Sequence, residues 1–253
     1  MKIPVLLRIL CYLISPFFIL IVTARVKAQT NSSVKITFIN TIASLPVVID
    51  SVNYTNCWNE TFTLHQLKYY ISNICLKTTD KKMFREKNSY HLVNEEDNAS
   101  KSISFIIPSD NYTSLSFMIG VDSLKNVSGA QTDALDPLNG MFWTWNTGYI
   151  MFKLEGNSLQ SNSIDHRIEY HIGGFAGTNN TTRKVELNLT GIGPSFNNHG
   201  NKEIIIQTNI DKIWNAKHAI KISNTPVCTS PGVLASAIAD NYSKAFEIIK
   251  IIP

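Results

Sequence analysis

Residues 141–149 read Met-Phe-Trp-Thr-Trp-Asn-Thr-Gly-Tyr, which sets Trp143 and Trp145, two of the four tryptophans in the chain, one residue apart. On a strand, period-2 alternation points both indoles and Met141 to one face and Phe142 and Thr144 to the other. Two large rings then share one pocket or one patch of core. Exposed, such a pair is a sugar-stacking platform; buried, it is ordinary sandwich core held by edge-to-face packing. Of six histidines, His171 is the one best placed for chemistry. Tyr170-His171-Ile172-Gly173-Gly174 embeds an imidazole in a strand that ends in two glycines, where a metal or another backbone can come close. His65 follows Leu64 in a second strand-like run. A structural role competes at both positions, because a single strand histidine is commonly a half-buried, hydrogen-bonded side chain. His199, in Asn-Asn-His-Gly, reads as an exposed turn.

The familiar catalytic patterns are missing. There is no GxSxG, no phosphate-binding loop, no GxGxxG after a strand, no HExxH and no EF-hand loop. No spacing of Ser, His and Asp singles out a triad. The chain therefore reads as a binding protein and not as an enzyme.

The elements that must carry these residues are short strands. Val34, Ile36 and Phe38 alternate with Lys35 and Thr37 in a half-buried first strand. Residues 62–76, rich in β-branched and aromatic side chains, predict one long strand or two. Residues 77–87 read as a charged turn, and 90–93, 103–107 and 115–121 as further strands, the second closed by Pro108. Residues 122–140, rich in Asn, Ser, Gly and Asp, predict a long functional loop folded over the tryptophans. Within it, Asp122 either orients His171 or closes an Asx-turn. Strands follow at 149–154, 169–172, 184–189 and 203–208, with a helical turn at 210–214. Apolar residues near helical spacing over 232–247 predict one short C-terminal helix. No repeat or linker divides the chain. The fold class expected is all-β: an antiparallel, sandwich-like single domain with long loops.

Residues 1–28 carry a basic start at Lys2 and Arg8, an apolar run over 9–22 and a Val-Lys-Ala end at Ala28, the pattern of a secretory signal peptide. The run is short for a membrane span, which needs about 20 apolar residues. Cys11 follows Leu10 inside the apolar region, which argues against a lipid anchor. Residues 29–253 are then one domain in a periplasmic or secreted, oxidising space. The net charge of +4 is spread thinly, which gives a nucleic-acid role no support. Cys57, Cys75 and Cys228 are an odd set with no metal-knuckle spacing. They form either one disulfide, with Cys57–Cys75 the natural pair, or three ordinary thiols.

Four runs together are distinctive. Gly120-Val121-Asp122-Ser123 leads through 126–131 (Asn-Val-Ser-Gly-Ala-Gln) to Leu135-Asp136-Pro137-Leu138-Asn139-Gly140 and the tryptophan segment, ending in Lys153-Leu154-Glu155-Gly156. Tyr69-Tyr70-Ile71-Ser72-Asn73-Ile74 lies upstream. Tyr170-His171-Ile172-Gly173-Gly174 and Ile238-Ala239-Asp240-Asn241-Tyr242 lie downstream. In this order the chain resembles the MbnP-like copper-binding domain family of bacterial periplasmic proteins, over roughly residues 34–246. The resemblance implies a β-rich copper-binding protein that, in some members, works beside a di-haem cytochrome partner of the peroxidase superfamily. There a tryptophan is oxidised to kynurenine, whose aniline nitrogen and carbonyl oxygen offer the lone pairs an indole lacks. Carried over, the resemblance implies Trp143 or Trp145 as the modified residue and His171 as an imidazole ligand to Cu(I), a metal that favours imidazole and soft donors. His65 is the candidate second histidine, although no motif matches it. Two rivals stand beside this expectation. A metal-free structural domain predicts buried tryptophans and no second His, Cys or Met within reach of His171; a glycan-binding module predicts an exposed aromatic platform.

Overall fold

A computed structural model of the chain describes residues 30–129, 131–143, 148–193, 196 and 200–253. The predicted signal segment 1–28 with Cys11 and Ala28, as well as Trp145 and His199, lie outside the described residues. The strands in chain order are β1 (Asn31–Ile42), β2 (Leu45–Pro46), β3 (Tyr54–Thr55), β4 (Thr61–Thr78), β5 (Met83–Arg85), β6 (Tyr90–Asn94), β7 (Ser102–Pro108) and β8 (Tyr112–Ile119). They continue as β9 (Phe142–Trp143), β10 (Gly148–Asn157), β11 (Arg167–Gly173), β12 (Arg183–Asn188), β13 (Lys202–Asn209), β14 (Val227–Cys228) and β15 (Phe246–Ile252). Among the described residues two helices, α1 (Ser123–Asn126) and α2 (Val233–Tyr242), complete the regular structure apart from short 3-10 turns.

Two sheets pack face to face. The smaller follows the order β15-β13-β1-β2 with β7 also on β1; the larger follows β12-β8-β4-β10-β11-β14, with β5 and β6 on β4 and β9 on β10. The expected all-β architecture is thus present with mixed pairing: β1–β13 and β11–β14 run parallel. Alternation produces the core. Val34, Ile36 and Phe38 of β1 are fully or nearly fully buried, while Lys35 points out. Phe38 meets Tyr69, Phe117 and Phe246 edge-on at 6.0–6.4 Å, joining both sheets through one aromatic cluster.

The predicted long strand is a single 18-residue element, β4. Its first half pairs with β10 and its second with β8. At the changeover Tyr69 and Tyr70 point to opposite faces. Tyr69 enters the main core, where its hydroxyl donates to Asn40 Oδ1 at 2.8 Å. Tyr70 enters a second, smaller apolar cluster on the outer face.

Sequence expectation and structure part in two places. The charged turn at 77–87 contains β5, and the helix ends at Tyr242, so that residues 246–252 form an edge strand instead. Asn241 and Asp240 explain where α2 sits. The buried Asn241 amide accepts from the Lys217 and His218 backbone N–H groups and donates to the Ile213 and His218 carbonyls. Asp240 accepts from Arg183 Nε at 2.8 Å, Lys217 Nζ at 2.5 Å and His218 Nε2 at 3.1 Å. Burial alone would raise the Asp240 carboxyl, but hydrogen bonds from Lys217, His218 and Arg183 hold it well below the ordinary carboxylate range. Asp240→Asn is expected to lower stability at neutral pH by about 1 kcal/mol, the scale of a partly exposed ionic network. An unchanged urea midpoint would show that the network only decorates the surface.

Of the two readings of the cysteines, the fold holds the one with ordinary thiols, and no Cys57–Cys75 bridge is formed. Cys57, Cys75 and Cys228 are free thiols, the first exposed and the others buried. The reason is geometric: β4 begins after Cys57 and carries Cys75 near its far end, so the strand itself holds the pair apart. Burial raises the Cys228 thiol to about 11, leaving it a small apolar filler in its thiol form.

Candidate functional site on the outer face of β10 and β11

β10 and β11 pair antiparallel with Lys153 opposite His171, Glu155 opposite Glu169 and Ile150 opposite Gly173. Alternation sends Ile168, Tyr170 and Ile172 into the core and leaves Glu169 and His171 on the outer face, with Gly173 at the end of the same row. His171 Nε2 lies 2.6 Å from Glu155 Oε1, and its Nδ1 lies 3.7 Å from Glu169 Oε1. Lys153 Nζ reaches the same Glu155 oxygen at 3.1 Å and donates to the Gly140 carbonyl at 3.2 Å. The hydrogen bond from His171, joined by the charge of Lys153, holds the Glu155 carboxyl down at about 2. Glu155 therefore stays ionised and fixes the imidazole, the arrangement that orients a ligating histidine in metal sites. Glu155 figures in the sequence only as part of the Lys153-Leu154-Glu155-Gly156 end of the family-like run, and nothing there gives either glutamate a role. Their signal is the alternation Lys153-x-Glu155 facing Glu169-x-His171, which becomes meaningful only once the register is known.

Trp143 lies on the same face. β9 adds it to the edge of β10 opposite Gly148, and its six-membered ring covers Gly173. A Cβ on Gly173 would stand 2.6 Å from Trp143 Cζ3 and 2.8 Å from the Tyr149 carbonyl oxygen, so this glycine is what lets the indole lie flat against the strand. Indole 143 is 6% exposed and belongs to the outer apolar cluster with Tyr70, Leu135, Met141, Tyr149 and Met151. For Trp143 the glycan-platform expectation is overturned, because a buried ring offers no open face to a sugar. Trp145, the other half of the predicted pair, lies outside the described residues.

The segment 122–140 covers this cluster as expected, but as short helical turns tied by side chains. Asn126 accepts from the Tyr149 N–H at 2.9 Å and donates to the Val121 carbonyl at 2.7 Å. The Tyr149 hydroxyl donates to the Leu135 carbonyl at 2.7 Å. Asp122 caps α1 through the Lys125 N–H and accepts from the Tyr90 hydroxyl, so of its two predicted roles it takes the local capping one. Tyr70 presents a buried hydroxyl without a hydrogen-bond partner among the described residues.

His65 belongs to the far end of the same polar row. β4 and β10 slip register between Glu155 and Gly156, and the imidazole there pairs with Asp50 Oδ1 at 2.5 Å and with the Asn157 amide oxygen. The hydrogen bond to Asp50 raises the pKa of His65 above its ordinary value. A cavity of about 190 Å³ runs between His65, Glu155, Arg167 and Glu169. The structure thus brings His171 together with Trp143 on one side and with the two glutamates on the other. It leaves His65 beyond those glutamates, with both ring nitrogens engaged. Among the described residues no group of three or more His, Cys, Asp and Glu side chains is placed to hold a metal ion.

A family model described as MbnP matches residues 31–230. Among solved structures, MbnP from Methylosinus trichosporium is similar in fold, with a TM-score of 0.57 and 13% identity over 79% of this chain and 83% of that one. At that identity the likeness speaks for the fold alone. No curated protein matches the chain. Among the described residues no helix is long and apolar enough to cross a membrane.

Proposed function

Because the chain belongs to the MbnP family, we propose that it is an extracytoplasmic copper-binding protein, acting in acquisition or delivery with no turnover of its own. The observation that carries this reading is the shared face of His171 and Trp143, joined across Gly173. The described side chains do not form a closed copper site: the oriented imidazole of His171 stands beside two carboxylates, and no group of His, Cys, Asp and Glu among them is placed to hold a metal ion. No mechanistic step is therefore routed through the metal. What these residues do is plain. Glu155 orients the ring of His171, Lys153 balances the carboxylate, and Trp143 keeps water from one side.

In the finer form of the proposal, a kynurenine derived from Trp143 or Trp145 completes the donor set for Cu(I). A di-haem cytochrome partner of the peroxidase superfamily drives that oxidation. The burial of Trp143 and the lack of a metal-holding group of His, Cys, Asp and Glu among the described residues support a second reading, a family member that keeps the fold without the metal.

Intact mass and metal content of protein from its native host separate the two. A mass shift on the tryptophan peptide together with copper retained after anaerobic Cu(I) loading supports the first. An unmodified peptide that retains no copper leaves the second. His171→Ala is expected to weaken copper retention about tenfold or more, since it removes one of few donors. Its cost in folding stability should stay below about 1 kcal/mol, because the pair with Glu155 is partly exposed. Unchanged copper stoichiometry in that variant would remove His171 from the site.

A further inference from the structure

At the opposite end of the larger sheet, the register of four strands assembles a second site. Cys75 of β4 lies opposite Arg85 of β5 and Ser116 of β8, and Ser116 in turn lies opposite Glu186 of β12. In the next row Met83 faces Lys77, which faces Ser114. A third row pairs Met118 with Lys184. The rows line a cavity of about 350 Å³ on the outer face, within the size range of small-molecule sites.

The charge of this cavity is unbalanced. Three cations, Lys77, Arg85 and Lys184, face one carboxylate, Glu186, which Lys184 already holds at 3.1 Å. Among the described residues, the Lys77 ammonium has no partner. The Arg85 guanidinium donates only to the Met83 sulfur at 3.4 Å. The hydroxyls of Ser114 and Ser116 are likewise uncommitted and half-buried. Between these donors the lining is apolar and polarisable: Met83, Met118 and the buried Cys75. Fixed cations with spare donors above an apolar floor attract an anion that brings an apolar body with it.

We propose that this cleft binds a small organic anion, its acidic group held between Lys77 and Arg85 and its apolar body against Met83 and Met118. The site is separate from the face that carries His171, and it stands whether or not copper is bound there.

The test uses two dyes of similar shape, the anionic 8-anilinonaphthalene-1-sulfonate and the neutral N-phenyl-1-naphthylamine, on the folded full chain. The sulfonate is expected to bind with 1:1 stoichiometry, about tenfold or more tighter than the neutral dye at low salt. Lys77→Gln combined with Arg85→Gln should raise the sulfonate Kd by about tenfold or more and leave the neutral dye unchanged. With methionine methyl groups labelled, Met83 and Met118 resonances should shift on titration while Met141 and Met151, in the Trp143 cluster, stay in place. The proposal is overturned if the sulfonate does not bind, if the double variant binds it as well as the parent, or if both dyes weaken together. Shifts at Met141 and Met151 in place of Met83 and Met118 overturn it as well.

Discussion

Gly173→Ala is expected to lower the stability of the domain by about 3 kcal/mol, the upper end of what overpacking a close contact costs. The backbone of Gly173 is not in the left-handed region, so the penalty is one of space and not of conformation. Its new methyl would meet Trp143 Cζ3 at 2.6 Å and Cη2 at 2.8 Å, and the Tyr149 carbonyl oxygen at 2.8 Å. The carbonyl belongs to β10 and cannot retreat without loosening the ladder, so the indole has to lift away. Tryptophan emission should then move to the red as ring 143 meets water. The decisive measurement is a double-mutant cycle with Trp143→Ala. That variant alone leaves a cavity in the outer cluster, which the alanine methyl at 173 partly fills, so the pair should lose distinctly less stability than the two singles added together. Strict additivity would show that the collision lies with the Tyr149 carbonyl, and the indole would no longer be the reason this position is glycine.

An equally large loss is expected from Glu60→Gln, again about 3 kcal/mol. The Glu60 carboxylate is buried at the foot of β4 and accepts from Asn56 Nδ2 at 2.8 Å, the Ile222 N–H at 2.8 Å and the Ser223 N–H at 2.9 Å. It ties the turn before β4 to the segment behind Trp214. An amide keeps one acceptor oxygen but turns an NH₂ toward groups that are themselves donors, leaving a buried N–H unpaired. Burial alone would raise this carboxyl; the hydrogen bonds from Asn56, Ser223 and Ile222 outweigh it, and the folded pKa lies below the ordinary value. The sign for pH follows. A depressed folded pKa contributes stability that is fully present above the unfolded value, about 4.3, and is lost as pH falls through the folded one. The urea midpoint of the parent should thus drop more steeply than that of Glu60→Gln below about pH 4.5. Parallel acid limbs for the two proteins would show that Glu60 does not carry the acid sensitivity.

Alternation in the sequence made most strands legible, because one face of each is buried and the other is not. β13 follows that rule residue by residue and β1, β8 and β11 over most of their length, whereas β4 is buried on both faces from Tyr69 to Ser72. β15 was hidden because Tyr242, Ala245 and Phe246 continue the helical spacing of α2 past the turn at 243–245. β5, three residues inside a charged stretch, is too short to show a period. The parallel pairing of β1 with β13 leaves no local trace, since Val34 and Lys202 meet only in the folded chain. The candidate site divides in the same way. His171 and Trp143 were visible by residue type, and the two glycines by the close approach they permit. Glu155, Glu169 and Lys153 acquire their roles from cross-strand register, and the isolation of His65 comes from a register slip between β4 and β10.

The pairing of β13 with both β1 and β15 has a temporal side. The first strand of the smaller sheet can take β2 and β7 as early neighbours, but its parallel neighbour comes only with residues 202–209, and β15 follows later still. The sheet therefore closes through partners far apart in the sequence, and such high contact order makes closure slow. Any chaperone serving the growing polypeptide would meet a β1 still open along one side.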